Sequence, residues 1–354
     1  MTSRIRTPYG KMDRESMEEV VYRNLGKKSR KVLRGPRTGF DNAVVRVGKG
    51  RVMVATTDPV SMVPPIGAEL SAWMSVHLVA SDLATSGVTP EFALFTLNFP
   101  RGLEEGEARD YLTSLGRSCS ELGISIVGGH TGTYPGGGFT VIGGGTMMGF
   151  AGEGEYIDPS MSRVGDLVLM TKGAGIEAAA TLAVSFPRYT KGKAGRKFQR
   201  NSAALLRSCS CVADALAAAR VGLGAGGVTS MHDATEGGVL GGVSEMSEAS
   251  GKAYVIDLEK VHVPEEVAAV CSAFSIDPMR TVSEGTLLIT CSPRVKAALE
   301  SALAERGIGA WEIGRVVGGR GAWSVGADGR RRRISPGPDE YWSAFDEAAT
   351  SGLE

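Results

Sequence analysis

One run constrains this chain more than any other: Met231-His232-Asp233-Ala234-Thr235-Glu236-Gly237-Gly238-Val239-Leu240-Gly241-Gly242. An apolar lead-in ends in His-Asp, passes through Thr-Glu and meets two Gly-Gly pairs, after which Val243 to Ala249 reads as helix. Glycines at a loop-to-helix junction let the backbone approach a ligand closely. The N–H groups of the first helical turn then face an anion that the helix dipole favours. Asp233, Thr235 and Glu236 beside that junction suit a metal or a phosphate oxygen. The plainer reading is a glycine-rich connection with Thr235 as N-cap.

At 354 residues the chain is long enough for two domains. Its 39 basic and 39 acidic residues balance, so the whole molecule has no general attraction to nucleic acid or anionic membrane. Hydrophobic residues at 42% and charged residues at 22% fit a soluble globular protein. The 49 glycines follow no collagen period and mark tight turns and close backbone approaches. The five cysteines (Cys119, Cys209, Cys211, Cys271 and Cys291) lack CxxC spacing, which argues against a disulfide framework or a zinc ribbon. No long apolar run is present, and Met1 to Arg14 has no signal-peptide core, so a cytoplasmic location without membrane contact is expected.

Along the chain, Asp13 to Leu25 has helical spacing of Met17, Val20, Val21 and Leu25. The basic stretch from Lys27 to Gly39 reads as a solvated loop, or as a flap over an anionic ligand. Val44 to Val47 and Arg51 to Thr57 form a hairpin around Gly48-Lys49-Gly50. Asp41 and Asp58 then fall at the outer ends of the ribbon, on the same side. Gly67 to Ser86 is a long apolar helix bearing Asp82, a carboxylate that needs a partner if buried. Three Asp residues from separate elements offer the hard oxygen ligands that suit Mg²⁺ held with a nucleotide's phosphates. Each also has an ordinary reading as turn former, strand-end cap or helix residue.

Glu91 to Phe99 is a strand, and Glu104 to Leu122 a helix with Leu112, Leu115, Cys119 and Leu122 facing the core. Ile124 to Val127 is a short buried strand followed at once by Gly128-Gly129-His130-Thr131-Gly132, a second place for a phosphate. His130 is a base, a metal ligand or a hydrogen-bonded loop residue. His77 reads as a satisfied core histidine and His262 as a surface one. A linker spans Gly152 to Arg163, and a second α/β unit opens with the strand Asp166 to Thr171 and a helix from Ala178. Arg188 to Arg200 reads as an exposed loop and Asn201 to Arg220 as one Ala-rich helix. Strands at 254–257, 286–290 and 311–317 alternate with helices at 264–274 and 294–306. Arg330 to Arg333 reads as a solvated hairpin tip. With no motif, net basic charge or aromatic ladder, nothing indicates a nucleic-acid reader.

Taken in order, Asp41-Asn42-Ala43-Val44-Val45, Thr56-Thr57-Asp58, Ser81-Asp82-Leu83-Ala84-Thr85-Ser86-Gly87, Gly128-Gly129-His130-Thr131 and His232-Asp233-Ala234-Thr235-Glu236-Gly237-Gly238 resemble the aminoimidazole ribonucleotide (AIR) synthase, or PurM-like, superfamily. The resemblance is closest to the hydrogenase maturation factor HypE and its archaeal relatives, with Ser283-Glu284-Gly285 at a HypE-type position, and it runs from about Gly10 to Gly319. It implies an α/β (α+β) architecture of two domains, 1–155 and 156–354, the first dimerising through its strands. It implies ATP and Mg²⁺ as cofactors and phosphorylation of an oxygen on a small-molecule or protein acceptor. Asp41, Asp58 and Asp82 would ligate the metal. Gly128, Gly129, His130, Thr131, Thr235, Gly237 and Gly238 would line the nucleotide, and His232, Asp233 and Glu236 would serve the chemistry.

Three departures bear on this. Many relatives carry adjacent carboxylates where this chain has Asp41-Asn42, so the number of metals is open. HypE carries out cyanide-ligand synthesis on a C-terminal Cys, and this chain has no Cys after Cys291, so that reaction on its own tail is not expected. Nor is there an N-terminal Cys of the selenophosphate synthetase kind. A nucleotide-dependent assembly partner without catalysis, or a phosphotransferase like thiamine-phosphate kinase, are the alternatives.

Overall fold

A computed structural model describes residues 10–12, 14–335 and 337–354. The chain opens with α1 (Arg14–Ser16), a π turn at Met17–Val21 and a 3₁₀ turn at Tyr22–Asn24. The helix expected from Asp13 to Leu25 is therefore short and irregular, and Asp13 itself lies outside the described residues. Val20 and Leu25 are 55% and 51% exposed, so no apolar surface supports a regular helix there.

The first sheet is built from β1 (Val32–Arg34), β2 (Ala43–Gly48), β3 (Arg51–Ser61), β4 (Phe92–Phe99), β5 (Ser125–Thr133) and β6 (Val141–Gly152), with α2 (Ala68–Ala84) and α3 (Glu105–Glu121) between strands. Its order is β1-β2-β3-β6-β4-β5. The β2–β3 hairpin turns at Lys49-Gly50, pairing Ala43 with Ala55 and Val44 with Val54. α2 is rich in Ala, Leu and Met, good helix formers, and is buried nearly all round, as expected of a helix without a polar face. Its serines return hydrogen bonds to neighbouring backbone: Ser75 Oγ accepts from Ser61 N–H at 3.0 Å and Ser81 Oγ from Cys211 N–H at 2.7 Å.

The second sheet follows a connection holding buried Tyr156 and Ile157. Its elements in chain order are β7 (Leu167–Thr171), α4 (Ile176–Ser185), α5 (Pro187–Ala194), α6 (Arg196–Ala204), α7 (Val212–Arg220), β8 (Val228–Asp233), α8 (Gly238–Ser250), β9 (Ala253–Asp257), α9 (Glu265–Ala273), β10 (Leu287–Cys291), α10 (Lys296–Ala304), β11 (Ala310–Val317), β12 (Gly321–Val325), β13 (Arg331–Arg333) and α11 (Glu340–Thr350). The order is β13-β12-β9-β11-β7-β10-β8, and β9 and β12 run parallel while the other neighbours are antiparallel. The two-domain, mixed α/β expectation is met.

Local expectations fail where tertiary contacts override propensity. Residues 188–200 are the helices α5 and α6, not a loop. The single helix expected over 201–220 breaks after Ala204 into a 3₁₀ turn. The break is held open because Cys211 N–H donates to Ser81 and Lys172 Nζ donates to the Ser210 carbonyl at 2.7 Å. Leu112, expected in the core, is 42% exposed, whereas Leu115 and Cys119 on the same helix are buried. All five cysteines are free and buried. No single helix among the described residues is long and apolar enough to cross a membrane.

One apolar cluster runs through both halves, joining Val54, Leu83 and Ala84 to Val212, Ala215, Met231 and Leu287. α2 thus packs into the core of both sheets, and it brings the first-half carboxylates against β8. In β6, a Cβ at Gly143 would stand 1.7 Å from the Thr96 carbonyl oxygen, so only glycine lets β4 approach. Gly143→Ala should lower folding stability by about 3 kcal/mol, read as a fall in the denaturation midpoint; an unchanged midpoint would contradict this packing.

Candidate functional site: an acidic cleft between the sheets

Asp41 precedes β2, Asp58 lies on β3, Asp82 on α2 and Asp233 ends β8. The Thr56 hydroxyl ties the first set together, 2.8 Å from the Asp41 carbonyl oxygen and 3.1 Å from an Asp82 carboxylate oxygen. Asp58 stands two residues on, on the same strand face. Asn42 Nδ2 donates to the Asp82 carbonyl at 2.7 Å, and its buried Oδ1 has no partner among the described residues. Both carboxylate oxygens of the fully buried Asp233 likewise lack a hydrogen-bond partner among the described residues, although Oδ1 lies 3.8 Å from His232 Nδ1.

The electrostatics record this crowding. Burial, with the charges of Glu236, Asp233 and Asp41, pushes Asp58 up to about 7 despite the opposing pull of Lys11. Burial and the charge of Asp41 push Asp233 up to about 6. Burial, Asp233, Asp58 and Asp41 hold Asp82 well above the usual carboxylate range. The cluster is short of positive charge, and such groups give up their protons when a cation arrives.

His232 is the exception among the neighbours. It is fully buried, with Nδ1 2.7 Å from Asp41 and Nε2 2.7 Å from Glu245. Burial would lower its pKa, but the two carboxylates outweigh burial and raise it far above the ordinary histidine value. Both ring nitrogens therefore donate, and the ring is a cation. In turn His232 overcomes the burial of Asp41 and Glu245 and holds both below their ordinary values. Asp41, His232 and Asp233 each bring an atom within 4.8 Å of the others, a spacing open to a metal. Nδ1 is committed to Asp41 and Nε2 to Glu245, so the ring orients two carboxylates.

The glycine-rich stretches fall differently from expectation. Gly128, Gly129, His130 and Thr131 are not a loop after a buried strand: they lie within β5, the exposed edge strand, where Ile126 and Val127 are 44% and 54% exposed. The pairings Asp58–Gly145, Gly145–Phe95 and Phe95–Gly129 set Gly129 in one row with Asp58. Three strand spacings separate them, about 14 Å. A Cβ at Gly129 would meet the Phe95 carbonyl oxygen at 2.0 Å, so this glycine serves strand pairing. His130 Nε2 is 2.5 Å from the Tyr134 hydroxyl. At the start of α8, Gly237 N–H donates to Asp339 at 2.7 Å and Leu240 N–H to the Met279 carbonyl at 3.1 Å. These amides, read from the sequence as open to an anion, are satisfied within the fold. A Cβ at Gly238 would stand 2.6 Å from the Thr281 carbonyl oxygen, which explains the glycine by packing.

Lys11, Glu245, Asp339 and Glu177 were not anticipated here. Lys11 Nζ donates to Thr235 Oγ1 at 2.8 Å and lies 3.5 Å from Glu236. Glu245, Glu236, Asp41 and Asp82 outweigh burial and raise its pKa. Nothing in the pattern around Lys11 marks it. Glu245 did carry a signal: it lies one turn beyond Gly241-Gly242, and a Cβ at Gly242 would come 3.5 Å from the His232 ring. Glycine there lets α8 approach closely enough for Glu245 to reach the ring. Farther along the cleft, Glu284 is 8% exposed with an unpartnered Oε2, and its N–H donates to Glu177 at 3.2 Å. Burial is the main reason Glu177 rises to about 8. His77, expected to be satisfied, stacks on Trp73 and bonds Ser210 through Nδ1 at 2.9 Å, while its buried Nε2 has no partner among the described residues. His262 stacks on Trp311 at 3.9 Å.

This chain is similar to proteins of one family. The AIR synthase related protein N-terminal domain matches residues 39–151, and the AIR synthase related protein C-terminal domain matches residues 163–324. Carbamoyl dehydratase HypE of Rhizobium leguminosarum bv. viciae is 26% identical over 288 residues, covering 79% of this chain and 78% of its own. Selenide, water dikinase of Colwellia psychrerythraea is 26% identical over 322 residues, covering 81% and 86%. The structure of hydrogenase maturation protein HypE in complex with ATP superposes with a TM-score of 0.64 at 19% identity, covering 93% of this chain and 96% of that one.

The raised value of Asp58 has a consequence for stability. A carboxyl whose folded pKa exceeds its unfolded one stabilises the fold below about 4, and that contribution is lost as pH rises through about 7. Asp58→Asn removes the uncompensated charge, so metal-free protein should gain on the order of 2 kcal/mol at pH 8 and little at pH 4. Thermal unfolding at the two pH values checks this; equal gains at both would contradict it.

Proposed function

Because the chain belongs to the AIR synthase related protein family, we propose that it is an ATP- and Mg²⁺-dependent enzyme that transfers the terminal phosphoryl group to an oxygen of an acceptor, with ADP leaving. The observation that carries this reading is the set of buried oxygens of Asp233 and Asn42 that have no hydrogen-bond partner among the described residues, beside the mutually repelling Asp58 and Asp82. A hard divalent cation fits that donor set, and a HypE relative of this fold is in complex with ATP. Asp41, Asp58, Asp82 and Asp233 would hold Mg²⁺, with Asn42 Oδ1 as a neutral donor. Bound there, Mg²⁺ and ATP would supply the phosphoryl group and offset its charge.

The chain's own residues hold and orient. His232 fixes the Asp41 carboxylate from one side and Glu245 from the other. Lys11 reaches the same cleft beside Thr235 and Glu236 and is the mobile-length cation available to a phosphate. This reading includes a homodimer through the first sheet, where Leu94, Ile126, Val127 and Val141 are 37%, 44%, 54% and 56% exposed. It also includes a domain division near residue 155 and a cytoplasmic location, in keeping with five free thiols.

Calorimetric titration with Mg·ATP and measurement of ADP release test the proposal. Asp82→Asn and Asp233→Asn should each weaken Mg·ATP binding tenfold or more, about 1.4 kcal/mol. Wild-type affinity should rise from pH 5.5 to pH 8 as Asp233 and Asp58 lose protons near 6 and 7. Unaltered titrations in both variants refute the cation site. Tight binding without ADP release under any acceptor would favour a nucleotide-dependent assembly partner.

A further inference from the structure

Between Glu177 and Asp214 the chain carries no acidic residue, yet it holds Arg188, Lys191, Lys193, Arg196, Lys197, Arg200 and Arg207. In a chain whose 39 basic and 39 acidic residues cancel as a whole, this is a local excess. The structure gathers most of it on one surface, α5 and α6 with the Gly195 turn between them. Lys191, Lys193, Arg196, Lys197 and Arg200 are all exposed, and no ion pair engages any of the five among the described residues. Arg196 and Lys197 fill the first turn of α6, which has no acidic residue and no side-chain cap. Cations at that end oppose the helix dipole, so they cost stability instead of adding to it. The buried side of α6 presents Ser202 to Glu266 and needs no charge.

One end of this surface already holds a peptide carboxylate. Tyr189 N–H donates to the Glu354 carbonyl oxygen at 2.6 Å, Arg188 pairs with the Glu354 side chain, and Leu353 packs into the apolar cluster beneath α5. We propose that the α5–α6 face is a docking surface for an acidic segment of a partner protein, bound through Lys191, Lys193, Arg196, Lys197 and Arg200 as Glu354 is bound at Arg188. A protein segment fits better than a nucleic acid. The aromatic rings of α5 and α6, Tyr189 and Phe198, are half-buried and each has a lysine amine beside it, Lys193 Nζ at 5.9 Å and Lys197 Nζ at 5.6 Å from the ring centres, so they do not form an exposed stacking ladder. Acidic motifs are read by such cation clusters through their charge and spacing. This surface is independent of the cleft and of the activity proposed for it.

The test uses the full chain and a fluorescein-labelled peptide alternating glutamate and leucine, followed by anisotropy, with an oligothymidine of equal charge as comparison. The wild type should bind the peptide saturably, with affinity falling as salt is raised. Arg196→Glu/Lys197→Glu/Arg200→Glu should weaken binding tenfold or more. The matched change elsewhere, Arg320→Glu/Arg331→Glu/Arg333→Glu, should leave it within twofold. Circular dichroism and thermal unfolding report whether each variant is folded. If the α6 variant is not, Lys191→Gln/Lys193→Gln/Lys197→Gln should still lose several-fold. The proposal is overturned if the folded α5–α6 variants bind as the wild type does, if the control loses as much, or if the oligothymidine binds more tightly than the peptide.

Discussion

A single buried imidazolium joins the parts of the cleft. His232 comes from the last turn of a second-sheet strand, Asp41 from the approach to a first-sheet hairpin, and Glu245 from the helix that follows. A first-half segment 191 residues away and two consecutive second-half elements are pinned by one ring. Removing a partner from such a buried arrangement leaves uncompensated charge and is far more costly than never having built it. The same ring biases the ionisation of its neighbours: Asp41 and Glu245, each hydrogen-bonded to it, are held toward the charged form, while Asp58, Asp82 and Asp233, none of them hydrogen-bonded to it, are driven toward neutrality. Two populations of carboxyl group thus share one cleft, sorted by which of them hydrogen-bonds to the histidine.

Much of the architecture was legible because it rests on short-range signals. Alternation and the Gly48-Lys49-Gly50 turn gave the first hairpin, and an apolar stretch with Ala, Leu and Met gave α2. The carboxylates of Asp41, Asp58 and Asp82 were each ambiguous alone and are brought together only by the shared packing of α2 and β3, which no local pattern encodes. The glycine-rich stretches were misread in place. Backbone freedom at Gly129 and Gly238 looks the same in sequence whether it admits a ligand or a neighbouring carbonyl, and here it admits the Phe95 and Thr281 carbonyls.

What the sequence could not disclose is contact across long separations. Lys11 meets Thr235 across 224 residues, and Asp339 meets Gly237 across 102. In the basic stretch at 188–200, Gly192, Gly195 and dense charge suppress helix signals, and the apolar cluster of α4, α9 and α11 supplies the surface on which α5 and α6 nevertheless form.

The apolar cluster threaded by α2 has a mechanical meaning. Leu83 and Ala84 sit next to Asp82 and are packed with Val212 and Met231, the latter two residues before Asp233. The two walls of the cleft therefore share one buried apolar core. The cleft's width is inherited from folding, so whatever enters must suit a gauge already cut, and adjustment falls to the rim segments that carry Lys11 and Glu236.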